Sequence, residues 1–240
     1  MNIKIQYLLV FVLFVTLVSC NDDDIFEQEM YKNRVALISS DYYNSYKEVV
    51  HLTGEEVVGY IAASVGGTHA PTQDMDITLK EDPTQLAFYN YSIYDADESL
   101  YAKALAPSKY EIADYTIHIK AGERTGRTMI KLRPEGLSPD SVYFISLKAD
   151  ETPGVEINPK KNTILYQVLL ENDYASQATN SLYTMTGTAN GMATAANKIL
   201  FPLTRNRVRM IAGNENFISK VPEIKKTSLI SLNSQLNYLL

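Results

Sequence analysis

The chain has 240 residues, with 22 Lys and Arg against 28 Asp and Glu, three His, one Cys, 17 Tyr and no Trp. That length is ample for a buried core in one or two domains, and 45% apolar with 21% charged residues is the composition of a folded protein. The formal charge of −6 leaves no basic excess to neutralise the phosphates of a nucleic acid, and a single Cys excludes an internal disulfide framework and a multi-cysteine metal site.

Lys4 stands ahead of an apolar run over residues 7–18, followed by small residues. The run is too short to cross ~30 Å of hydrocarbon as a helix and has the layout of a secretory signal over residues 1–19. The stretch Leu17-Val18-Ser19-Cys20 resembles a bacterial lipobox. That resemblance implies that Cys20 becomes the first mature residue and carries acyl chains, so that its thiol is no nucleophile. One chain binds a bilayer marginally; two or more, at ~0.8 kcal/mol per buried methylene, hold it. The alternative is a buried Cys in an uncleaved anchor. Asn21-Asp22-Asp23-Asp24 opens a linker, residues 20–30, that its like charges keep extended and hydrated. An acidic run at this place also resembles the surface-export signal of Bacteroidota lipoproteins. The expected location is the outer membrane, lipid-anchored and facing the cell exterior.

The body reads as strands. Residues 35–39 are short and β-branched at their start. Residues 47–52 and 57–64 flank Thr53-Gly54-Glu55-Glu56, which predicts a hairpin. Met75, Ile77 and Leu79 alternate with polar residues, as do Tyr115, Ile117 and Ile119, and then Thr128, Ile130 and Leu132. This is the period of a half-buried strand. Residues 142–149 and 163–170 are more uniformly apolar, as central strands covered on both faces would be. Short strands with regular turns predict an all-β antiparallel β-sandwich over residues 31–173.

One insert differs. Asp82-Pro83 is a helix start, and Leu86, Tyr89, Tyr94, Leu100 and Leu105 mark a broken helical region that ends at Pro107. Tyr89, Tyr91, Tyr94 and Tyr101 crowd into it. Planar rings can stack on the apolar face of a sugar, and an aromatic insert between strands can build a binding surface. These four are therefore candidate glycan-contacting residues, against the alternative that each is an ordinary strand or core Tyr. Further on, Leu137, Pro139 and Tyr143 in Gly136-Leu137-Ser138-Pro139-Asp140-Ser141-Val142-Tyr143 resemble the tyrosine corner of immunoglobulin-like sandwiches; a plain Ser-Pro-Asp turn is the alternative.

Several segments together carry a wider resemblance. They are Tyr31-Lys32-Asn33-Arg34-Val35, Gly59-Tyr60-Ile61, Ile119-Lys120-Ala121-Gly122-Glu123, Arg133-Pro134-Glu135-Gly136-Leu137-Ser138-Pro139-Asp140-Ser141 and Leu170-Glu171-Asn172-Asp173-Tyr174. The chain resembles, over residues 1–175, Bacteroidota surface lipoproteins with an immunoglobulin-like N-terminal domain of unknown function from polysaccharide-utilisation loci. Tyr183-Thr184-Met185-Thr186-Gly187-Thr188 and Pro202-Leu203-Thr204-Arg205-Asn206-Arg207-Val208-Arg209-Met210 are similar to the start of the β-rich second domain that often follows. The resemblance implies SusC-like and SusD-like outer-membrane partners and a polysaccharide ligand. Family members usually run on beyond the counterpart of Met210, so residues 174–240 are expected to be a partial, truncated second domain with unpaired strand edges.

Catalytic signatures are missing from the sequence. Some family members carry a glycoside hydrolase barrel with an Asp-x-x-Asp-x-Asp-x-Glu motif, but Asp74-Met75-Asp76 is followed by Ile77, Thr78 and Leu79. Asp95-Ala96-Asp97-Glu98-Ser99 begins like a calcium loop and then puts Leu100 and Ala106 where Gly and Glu are needed. His51, His69 and His118 are far apart, with His118 on the outward face of its strand. No nucleophile elbow, phosphate loop or dinucleotide fingerprint occurs. The expectation is a lipid-anchored protein without enzymatic activity, metal or cofactor, which binds glycan or assists polysaccharide capture. The alternatives are a scaffold or adhesion module that binds other proteins, and a glycan-active enzyme of unfamiliar design.

Overall fold

A computed structural model describes residues 32–150, 154, 156–179, 181–189, 191–211 and 229–233. The signal segment 1–19, Cys20 and the acidic run 21–24 lie outside the described residues. In chain order the elements are β1 (Arg34–Leu37), β2 (Ser45–His51), β3 (Val57–Gly66), β4 (Met75–Glu81), α1 (Thr84–Tyr94), β5 (Lys103–Ala104), β6 (Tyr110–Ile112), β7 (Thr116–Ile119), β8 (Thr125–Leu132), β9 (Tyr143–Ala149), β10 (Glu156–Ile157), β11 (Thr163–Glu171), β12 (Leu182–Ala189), β13 (Met192–Ile199), β14 (Phe201–Thr204), β15 (Arg207–Ile211) and β16 (Leu229–Asn233).

Period-two alternation produces the expected sandwich. One sheet runs β10-β1-β3-β8-β6; the other runs β2-β11-β9-β4-β7, with β5 beside β9. Inward residues of the first, Val35, Leu37, Ile61, Ala63, Ile130 and Leu132, meet Ile77, Leu79, Ile117, Ile119, Ile145, Leu147, Ile164 and Val168 of the second. Each such Val, Leu or Ile side chain contributes ~1.5–3 kcal/mol by leaving water. Most pairings are antiparallel; β1–β10, β2–β11 and β5–β9 are parallel.

The structure corrects the hairpin at Thr53-Gly54-Glu55-Glu56. Strands β2 and β3 flank that loop but belong to different sheets: β2 pairs with β11 from Ser45↔Leu165 to His51↔Glu171, and β3 pairs with β1 and β8. The loop is an arch across the sandwich, bent at Gly54 with φ +86°. Turn residues report that a chain reverses, not which strand it then pairs with. Val50 and Leu52 contribute to the same core as Ile61 and Ala63, and the arch lets the two strands do so from different sheets.

Strands β9 and β11 are covered on both faces because α1 lies on the outside of their sheet. Leu86 and Ala102 pack there on Phe144 and Leu165, with Tyr43 and Tyr89 against them. The Asp82 carboxylate accepts the Thr84 N–H at 2.9 Å, which anchors the first turn. Buried Asn90 donates to the Ala102 carbonyl at 2.9 Å and accepts its N–H at 2.8 Å, so the insert returns to the helix. At the loop after β8, Leu137 and Pro139 are buried and the Tyr143 hydroxyl accepts the Ser138 N–H at 3.3 Å.

Beyond β11, β12 and β13 form a two-stranded ribbon, and β14, β15 and β16 a three-stranded sheet. The Asn172 amide donates to the carbonyls of Thr204 and Arg207 at 2.7 and 2.9 Å. Arg209 pairs with Asp140, and Ala175, Leu200 and Val208 form a small apolar cluster. Among the described residues no helix is long and apolar enough to cross a membrane.

Candidate functional site

The turn between β1 and β2 is held from its own side chains. Asp41 accepts the N–H groups of Tyr43 and Ser45 at 3.0 and 2.9 Å and the Ser45 hydroxyl. Burial would raise the Asp41 carboxyl, but the Ser45 and Tyr43 hydrogen bonds and the nearby Lys161 outweigh it and hold it below its usual value. Asn44 takes the left-handed conformation, φ 58°, which Asn tolerates better than most residues. Its buried amide donates to the Lys160 carbonyl at 2.9 Å and the Thr163 hydroxyl at 3.0 Å. Gln85 of α1 donates to the Tyr43 carbonyl at 2.9 Å. The turn is thereby fixed to the helix on one side and to the 158–163 turn on the other.

Between these three pieces lies an open cleft of about 530 Å³, whose lining includes Asp41, Tyr42, Gln85, Phe88, Lys160 and Asn162, with Lys161 beside them. Two rings form one wall. Tyr42 is 79% exposed and Phe88 45%, with ring centroids 6.1 Å apart and planes tilted by 52°. The two rings together form an exposed aromatic face. The rest of the lining is polar and includes the Gln85 and Asn162 amides and the Lys160 and Lys161 ammonium groups. A concave site with an aromatic wall and a few convergent polar groups is the usual makeup of a small-ligand site.

The sequence-predicted tyrosines fall beside this cleft and behind it. Tyr89 contacts Tyr43 at 5.2 Å, Phe144 at 5.0 Å and Tyr94 at 6.4 Å, and Tyr94 contacts Tyr101 at 6.4 Å. Burial, then Tyr94, pushes the Tyr89 hydroxyl up to about 12. Tyr101 donates to the Asp95 carbonyl at 2.6 Å. Tyr91 is 66% exposed and stands outside these ring contacts among the described residues. The structure thus joins Tyr89, Tyr94 and Tyr101 into one row and leaves Tyr91 apart. Sequence reasoning missed Tyr42, Tyr43 and Phe88; the signal was a Tyr pair in a polar turn.

Other titratable groups are tied into structure. His118 sits between Asp76 at 2.7 Å and Asp114 at 3.2 Å, on the exposed face of β7. Glu81 accepts the hydroxyls of Tyr110 and Tyr115, and Glu48 that of Tyr166. Asp41 is the carboxylate among the described residues lining the cleft, whereas glycoside hydrolysis uses two, ~5–10 Å apart. Among the described residues no group of three or more His, Cys, Asp and Glu is placed to hold a metal ion.

A family model for an N-terminal domain matches residues 26–156, and one for a C-terminal domain matches residues 162–235. No curated protein matches the sequence. A protein of unknown function from Bacteroides ovatus is 19% identical, with a TM-score of 0.64, over 83% of this chain and 68% of that one. A multidomain protein from the same organism is also 19% identical, with a TM-score of 0.65, over 83% and 67%. An auxiliary nutrient binding protein from Bacteroides thetaiotaomicron is 14% identical, with a TM-score of 0.58, over 82% and 68%. At such identities the likeness is one of fold.

Proposed function

The chain belongs to the family of Bacteroidota proteins from polysaccharide-utilisation loci that carry an immunoglobulin-like N-terminal domain of unknown function, and from that premise we propose that it captures glycan at the cell surface without cleaving it, as a lipid-anchored accessory to polysaccharide uptake. The observation that carries this reading is the pair of exposed rings, Tyr42 and Phe88, in a cleft lined also by Gln85, Asn162 and Lys160. The rings offer a stacking face for the C–H side of a pyranose. The amides and the ammonium offer hydrogen bonds to its hydroxyls. One carboxylate, already occupied by its own turn, supplies no acid and base pair.

The cleft is tested by affinity electrophoresis of the purified full-length chain through gels that contain xyloglucan, mannan, pectic galactan, polygalacturonate, heparin or mucin glycans. Retardation by at least one, lost in Tyr42→Ala and Phe88→Ala, is the expected result; free migration through all six overturns the reading. The anchor at Cys20 and a SusC-like and SusD-like complex as partner belong to the same proposal. Cys20→Ala is expected to release the protein from membranes in detergent-phase partition, and persistent membrane association would count against the anchor.

A second reading has its own support. Val58, Tyr60 and Met129 are exposed on the outer face of the β3–β8 pair, with the Arg127 guanidinium 4.2 Å over the Tyr60 ring. Such a face suits a protein contact. Co-purification of the outer-membrane partner pair, lost in Tyr60→Ser and unaffected by Tyr42→Ala, would favour the scaffold role.

A further inference from the structure

We propose, resting on the glycan reading, that the cleft selects saccharides bearing an anionic group, a uronate carboxylate or a sulfate ester, because Lys160 and Lys161 line it together with the Tyr42 and Phe88 rings and, among the described residues, a single carboxylate, Asp41, lines it beside these two cations. Among the described residues, the charged side chains lining the cleft are Asp41, Lys160 and Lys161. The Asp41 carboxylate is held by Ser45 and Tyr43 and lies near enough to Lys161 for their charges to interact, so the cationic excess of the cleft falls to Lys160. The Lys161 ammonium donates to two neutral oxygens, the Ser39 hydroxyl at 3.2 Å and the Asp41 carbonyl at 3.4 Å. The Lys160 ammonium makes no hydrogen bond or ion pair with another described residue.

These positions are built rather than loose. The Lys160 N–H donates to the Asn158 side chain at 3.0 Å and its carbonyl accepts from Asn44 at 2.9 Å. The Lys161 N–H donates to the Asn158 carbonyl at 3.0 Å, and its carbonyl accepts the Leu37 N–H at 2.8 Å. The turn therefore presents two consecutive cations from a fixed backbone. The protein as a whole carries −6, so a cleft with a cationic excess runs against its mean charge. An ammonium without an internal counterion gains most from an anionic ligand, through a charge-assisted hydrogen bond. The neighbouring Asn162 amide adds donors that suit carboxylate or sulfate oxygens. A sugar that stacks on the rings would direct its acidic substituent to the lysines.

Titration calorimetry of the full-length chain tests this with three probes: an oligogalacturonate, a heparin-derived oligosaccharide and an uncharged xyloglucan oligosaccharide. An acidic probe is expected to bind more tightly than the neutral one, and the two acidic arms separate carboxylate from sulfate. Lys160→Gln is expected to weaken that binding by about three- to tenfold, Lys160→Arg to retain it, and ~0.5 M NaCl to weaken it. Lys160 is exposed, so its substitution leaves the fold intact; an unchanged unfolding midpoint checks this. Equal, salt-insensitive binding of the neutral probe, untouched by Lys160→Gln, overturns the charge selection and leaves the glycan reading standing. Binding of none of the three probes, by a chain that is retarded by a neutral polysaccharide in gels, likewise overturns it. No binding in either assay overturns both.

Discussion

The Arg209 guanidinium meets the Asp140 carboxylate where the loop between β8 and β9 touches β15, and their side chains keep only 16% and 5% of their exposure. The pair ties the sandwich to the strands that follow it, beside the Gln177 amide, which donates to the Pro139 carbonyl at 2.8 Å. Burial lowers the proton affinity of Arg209, and the Arg209 guanidinium also lies 5.6 Å over the Phe201 ring. Breaking one side of such a pair leaves a buried charge alone. Arg209→Met is expected to cost ~3–5 kcal/mol in urea unfolding, and Asp140→Leu with Arg209→Met to recover much of it. A single variant as stable as the wild type would mean that the pair is solvated.

Gly59 of β3 packs against Tyr166 of β11. A Cβ at residue 59 would overlap the Tyr166 hydroxyl, which donates to Glu48 at 2.8 Å. Burial and then Glu48 push that hydroxyl far above its usual value, so it stays a donor at any ordinary pH. Gly59→Ala is expected to destabilise by ~1–3 kcal/mol. In a Tyr166→Phe background the same change should cost less, because the overlapping atom is gone. Additive losses in that double-mutant cycle would show that the two residues do not meet.

His118 gives a pH dependence. Its hydrogen bonds to Asp76 first, and then to Asp114, raise its proton affinity above the ordinary value of 6.5. A raised folded-state value means the stabilisation is fully present below pH 6.5 and is lost as pH climbs through the folded value. NMR titration should place the His118 midpoint above 6.5, and Asp76→Asn should bring it down. A midpoint unmoved by that substitution would detach the imidazole from Asp76. Both partners are exposed, so the effect on global stability is small.

Much of the sandwich was legible because burial on one face writes itself into alternation. Ile117 and Ile119, or Ile130 and Leu132, point inward as their spacing says. The arch at 53–56 was misread because turn chemistry is local and strand pairing is not: the partner of β2 lies 120 residues along, at Leu165. The cleft was legible only in part. Tyr89, Tyr94 and Tyr101 form one row of rings, and of these Tyr89 packs on Tyr43 beside the cleft. Its wall comes from Tyr42 and Phe88, and its cations from Lys160 and Lys161, three segments brought together by the pairing of β11 with β2 and by the packing of α1 on β9 and β11. Nothing in the spacing of those residues along the chain announces them.

The most direct test is the affinity of Tyr42→Ala for the polysaccharide that retards the wild-type chain, measured beside its unfolding midpoint. Tyr42 is 79% exposed, so its loss should shift stability by no more than ~0.5 kcal/mol. Affinity should fall about tenfold or more while the midpoint stays, since one stacking face is gone. Wild-type affinity in a well-folded Tyr42→Ala protein would contradict the assignment of this cleft as the place where glycan is held.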